Sequence, residues 1–142
     1  MILAATLAKA IPVDVALSDE ERSAVLETAL LAIASDGVID PSEAAAFIAI
    51  AERLGADGKA LLVRFDGGLT RASADARLLE VAKHLVTPAS RLLAYRAAYA
   101  LSLADEEASD GEFEFDLQLL DALDLSQAEA DRLVAEVDAA IA

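Results

Sequence analysis

The chain has no cysteine, no tryptophan and a single histidine, His84. Without thiols there can be no disulfide, no thiolate nucleophile and no thiolate metal site. One histidine likewise excludes a histidine-based zinc site, which needs several imidazoles. Long apolar runs are also missing: none of the uncharged stretches, such as Thr28–Ser35 or Ala44–Ala51, exceeds eight residues. A membrane-spanning helix needs about 20, so no membrane insertion is expected. The opening MILAATLAKAIP holds Lys9 inside its apolar run and lacks a basic leader. It reads poorly as a secretion signal and better as an amphipathic helix over residues 1–12, ended by Pro12. These absences together lead us to expect a soluble, cytoplasmic protein.

What the chain does have is apolar mass and acid. It is 142 residues long, 56% hydrophobic, and carries a formal net charge of -15. That length suits one domain with a proper core, and we take 1–142 as a single unit. The charge is uneven: residues 1–52 hold nine acids and two bases, residues 53–96 four acids and eight bases. From Asp105 to Asp138 there are thirteen acids and only Arg132. So acidic a chain is a poor nucleic-acid binder, because neutralising phosphates requires a basic face.

Helix signals follow one another with almost no strand pattern between them. Ser18 and Glu21 form a capping box opening a helix with Leu26, Leu30 and Ile33 on one face. Asp40 as N-cap, Pro41 at the first helical position and Glu43 three residues after the cap start the next. Its stripe is Phe47, Ala51 and Leu54, and Gly55 stops it. A short helix is expected over Asp57–Arg64. Another opens at Ser73, with Leu78, Leu79, Ala82 and Leu85 inward. Thr87 and Pro88 start a long helix presenting Leu92, Tyr95, Tyr99 and Leu103. A short segment over Asp116–Leu123 precedes a last helix, capped by Ser126 and Glu129, with Leu133, Val137 and Ile141 inward. The expectation is an all-α bundle of about seven helices, packed as antiparallel neighbours through short connections.

One tetrapeptide occurs twice, in ASDGVIDPSE at Ala34–Glu43 and in ASDGEFEFD at Ala108–Asp116, 74 residues apart. Each copy follows a helix, then gives an apolar residue (Ile39, Phe113), an acid (Asp40, Glu114) and a new helix. Helix punctuation explains much of this, since Gly37 and Gly111 suit the left-handed residue that ends a helix. A calcium hand does not explain it: with Asp36 at the fifth loop position, the first and third would be Ala32 and Ala34, which cannot ligate. Acids crowd the second copy, where Asp105, Glu106 and Glu107 end a helix whose C-terminus already carries partial negative charge. We therefore expect that the two turns approach one another, and that Asp36, Asp40, Glu43, Asp110 and Glu114 hold a hard divalent ion, Ca²⁺ or Mg²⁺.

A long helix ending in ASDG, then an apolar residue, a carboxylate and a new helix, used twice, resembles the TerB-like family. These are small all-helical domains named for a bacterial tellurite-resistance protein. The match is most typical through ASDGVIDPSE and AAFIAIAERLG, looser through ASDGEFEFDLQLLDALDLS, and spans most of residues 18–138. The resemblance implies a pseudo-twofold arrangement of the two motifs, acids near them that bind a divalent cation, and an association with stress response. No enzymatic reaction comes with it. The chain departs from strict repetition at Leu117, which stands where Glu43 stands in the first copy, with Asp116 one place early.

Other chemistry finds little support. His84 reads as a helix-surface residue or a satisfied partner, and no GxSxG, phosphate loop or dinucleotide motif occurs. Tyr95 and Tyr99, one turn apart, read as core aromatics, with the lining of an apolar pocket as the alternative. The functional expectation is a non-catalytic, protein-binding module under divalent-ion control. The alternative is a structural homodimer built on the apolar Met1–Ala10 segment.

Overall fold

A computed structural model describes residues 4–12, 17–33, 41–65, 71–103 and 119–141. Both ASDG motifs, and with them Asp36, Asp40, Asp110 and Glu114, lie outside the described residues, as do Gly37 and Gly111. Among the described residues the chain is all-α, with no strand. The helices are α1 (Ala4–Ala8), α2 (Asp19–Ile33), α3 (Pro41–Arg53), α4 (Gly58–Phe65), α5 (Arg71–Ala82), α6 (Pro88–Ser102) and α7 (Gln127–Ile141). Residues 119–122 are helical as well.

Local chemistry sets most of these boundaries. The Ser18 hydroxyl accepts the Glu21 amide at 3.1 Å, and the Glu21 carboxylate reaches back to the Ser18 amide at 3.5 Å. Ser126 and Glu129 repeat the device at α7, both bonds being 3.1 Å. Thr87 caps α6 from extended backbone (φ -110°, ψ 150°), with Ser90 completing the reciprocal pair and Pro88 at the first position. Pro41 begins α3, as its fixed φ favours.

Two helix ends share one design. Gly55 has φ +80°, and the Ala56 amide bonds back to the Ala51 carbonyl at 2.9 Å. Asp124, the one non-glycine residue with positive φ among the described residues, has φ +56°, and the Leu125 amide bonds the Leu120 carbonyl at 3.0 Å. Both are Schellman-type stops in which a left-handed residue turns the chain and frees it for a new N-cap two residues later. Asp57 then accepts the Ala60 amide at 3.2 Å, and Ser126 caps α7. The internal repeat thus continues beyond the ASDG copies into Leu54-Gly55-Ala56-Asp57 and Leu123-Asp124-Leu125-Ser126.

The directions of neighbouring helices depart from the antiparallel expectation. Arg77 bonds Glu27 at 2.5 Å and His84 meets Glu20 at 2.5 Å, so α5 runs against α2. But α2 and α6 begin side by side, joined by a Thr87–Glu21 bond, and pack closely together. Arg96 pairs with Glu136 and Tyr99 with Asp138, pairs that advance together along both chains, so α6 and α7 run the same way. Parallel neighbours arise because other helices intervene in sequence, so the chain returns to the starting end before the partner helix begins.

The core also corrects several face assignments. Leu78 and Leu85 are buried as expected, but Leu79 is 61% exposed and Val81 takes its place inside. Leu78 and Val81, three residues apart, share one face of α5, whereas Leu79 lies about 100° round the helix from Leu78, and Leu85 follows the helix end. Helix α6 presents no single stripe. Tyr95 is buried, Leu92, Tyr99 and Leu103 are only half-buried, and Leu93, Ala94, Ala97 and Leu101 are buried instead. It is central, touching α1, α2, α3 and α7, and its small alanines permit that close surround. Helix α5 begins at Arg71, two residues before Ser73. In and just after the first helix, Leu7, Ala8, Ala10 and Ile11 are buried in the chain's own core, with α1 packed against α3.

Candidate functional site

The end of α1 is held by two arginines. Arg53 donates through Nε to the Ile11 carbonyl, and Arg96 donates through Nη1 to the Ala10 carbonyl at 3.1 Å. Carbonyls at a helix end lack intrahelical partners, and cations suit the negative pole there. Arg96 does more than cap. Its Nη2 pairs with Glu136 on α7, so one guanidinium ties the α1 end, α6 and α7 together.

Beside this three-way joint lies an open cleft of about 260 Å³. Its apolar wall comes from Pro12, Ala89, Leu92, Leu93 and Leu133, and its charged rim from Arg96, Arg132 and Glu136. The parallel course of α6 and α7 brings Ala89, Leu92 and Arg96 opposite Arg132, Leu133 and Glu136. Tyr95 and Tyr99 do not line it: Tyr95 is in the core, and the Tyr99 hydroxyl donates to Asp138 at 2.9 Å.

The rim charges are in different states. Arg96 is engaged with Glu136, as described. Glu129, one turn before Arg132, is committed to its capping box. The Ser126 amide and hydroxyl hold its carboxyl below the ordinary 4.5, with the Arg132 charge adding to the effect and partial burial opposing it. Arg132 itself is exposed and makes no hydrogen bond or ion pair with the described residues. It is the one basic residue after position 96. That sequence signal, a lone arginine amid thirteen acids, was open to reading, but only the fold sets it against an apolar wall.

A second polar cluster is structural. The Glu21 carboxylate, 9% exposed, accepts the Thr87 hydroxyl at 2.9 Å and the Ser18 hydroxyl at 3.4 Å. Thr87 in turn accepts the Ser90 amide at 3.2 Å. Two capping boxes are thereby fused into one junction holding the starts of α2 and α6 together. The Thr87 bond is the main reason the Glu21 carboxyl sits below the ordinary 4.5, burial opposing and Ser18 and Ser90 assisting. A lowered pKa favours the ionised folded form, so this stability is present above the ordinary value and lost as pH falls through the lowered one. Glu21→Gln is therefore expected to lower the melting temperature at neutral pH, with the gap to wild type closing under acid. A gap that stays constant from pH 7 to pH 3 would contradict the junction's ionic character.

His84, expected as a surface residue or satisfied partner, is exposed and 2.5 Å from the Glu20 carboxylate. Of the five carboxylates expected to hold a cation, only Glu43 is described. It is 4% exposed in the first turn of α3, where a carboxylate is favoured by the helix pole. Among the described residues no group of three or more histidine, aspartate or glutamate side chains is placed to hold a metal ion. No described helix is long and apolar enough to cross a membrane.

No family model, no curated protein and no solved structure matches the chain.

Proposed function

We propose that this chain is a non-catalytic helical module that binds a protein partner through the α6–α7 cleft. The observation carrying the reading is the cleft itself, an apolar concavity with an exposed arginine on its rim that makes no ion pair with the described residues. Arginine beside desolvated apolar surface is the composition that dominates binding energy at protein interfaces. A catalytic reading has no comparable support: the single histidine is held on the surface by Glu20, and there is no thiol to pair with it.

The TerB-like resemblance agrees with such a module and adds a role in stress response. It also adds ion control, through Asp36, Asp40, Glu43, Asp110 and Glu114 as ligands for Ca²⁺ or Mg²⁺. That limb rests on the repeated sequence and the acids beside it. Calorimetry and thermal melts with either ion test it: heat and a raised melting temperature are expected, and neither at millimolar ion would sink it.

The interaction itself is tested by capture on immobilised full-length chain, comparing wild type with Ala89→Trp, which fills the cleft from an exposed position. A stoichiometric binder retained by wild type and lost by the variant is expected. A binder retained equally by both would remove the cleft from the account.

A further inference from the structure

From the cleft we infer the chemistry of its occupant: an amphipathic helix that seats one apolar side chain between α6 and α7 and places a single carboxylate on Arg132. This rests on the cleft being the binding face. The volume, about 260 Å³, falls below the roughly 300–1,000 Å³ of sites that enclose small molecules. It is open to the side and walled by Leu92, Leu93 and Leu133, which suits a side chain anchored from a neighbouring surface. A groove between two helices is the usual seat for the apolar face of a third.

Charge then selects among such helices. Within the cleft, Arg96 and Glu136 neutralise one another, so a partner gains nothing by offering either sign there. Arg132, whose charge also acts on Glu129, makes no ion pair with the described residues, and its planar fork matches a carboxylate in two parallel bonds. Long-range attraction runs the other way, because a body of net charge -15 repels a strongly acidic partner. The partner that satisfies both is neutral or basic overall, with one carboxylate about a helical turn from its apolar anchor. The same surroundings disfavour a phosphate backbone, which the neighbouring acids repel.

The test uses two fluorescent helical peptides of neutral composition. Both carry a leucine pair one turn apart, and they differ only in glutamate or lysine one turn beyond it. Full-length protein is expected to bind the glutamate peptide about threefold to tenfold more tightly at low salt, with the preference shrinking as salt is added. Arg132→Glu, at an exposed position, is expected to reverse the preference, and Ala89→Trp to abolish binding of both. Equal affinities that Arg132→Glu leaves unchanged would overturn the inference. So would sedimentation showing that the chain dimerises through the cleft and that Ala89→Trp makes it monomeric, since the occupant would then be a second copy. If Ala89→Trp releases the captured partner while neither peptide shows a preference, the cleft stands and the carboxylate chemistry falls. If Ala89→Trp releases neither partner nor peptide, the functional reading itself fails.

Discussion

Phe47→Ala is expected to remove about 3–5 kcal/mol of stability, the range for truncating a fully buried aromatic. Phe47 is the largest fully buried side chain among the described residues. It sits on α3, which packs against α1, α4, α6 and α2, so the void would open where several elements meet. The core around it is rich in alanine and leucine already in close contact, and short side chains have little reach to fill a hole. Because domains of this size are stable by only about 5–15 kcal/mol, the loss is a large share. Denaturant titration measures it. A cost under about 1 kcal/mol would mean that α3 collapses onto its neighbours more readily than the packing implies.

Gly58→Ala is expected to cost about 1–3 kcal/mol through overpacking, against the usual rule that alanine favours a helix. Gly58 is buried at the start of α4, and its φ is not in the left-handed region. The reason for glycine there is space. A Cβ would lie 2.8 Å from the Ile48 Cα and 3.0 Å from the Ala51 Cβ. The nearer atom is backbone, so relief requires α4 to move away from α3 and not merely a side chain to rotate. A neutral or stabilising result would show that the α3–α4 approach is looser than this. By contrast Gly55, with φ +80° and no atom within 4 Å of an added Cβ, is required by conformation alone.

These two glycines show where the sequence was legible. Gly55 was readable as a stop because its cause is local, as were the Ser18–Glu21 and Ser126–Glu129 boxes and the Thr87-Pro88 start. Gly58 was legible only as part of the short helix expected over Asp57–Arg64, and nothing nearby in sequence discloses Ile48 pressing on it. The Leu79 assignment failed for a related reason: periodicity permits either face of α5, and α2 decides. The expected stripe on α6 was wrong because a helix surrounded on several sides has no single apolar face.

The candidate site divides similarly. The carboxylates of the repeat were conspicuous as a pattern, whereas the cleft joins Pro12, Ala89, Arg96 and Arg132 across most of the chain's length. Its existence depends on α6 and α7 running in parallel, and antiparallel packing was the expectation. Only the isolation of Arg132 among acids was visible beforehand. The Glu21–Thr87 junction was half legible, each cap being readable alone and their fusion not.

The central claim is that binding occurs in the α6–α7 cleft, and an amide chemical-shift map of the full chain titrated with its captured partner tests it most directly. The account predicts the largest shifts at Ala89, Leu92, Arg96, Arg132 and Leu133. Shifts concentrated on α3, α4 and α5, with those five amides unmoved, would contradict it.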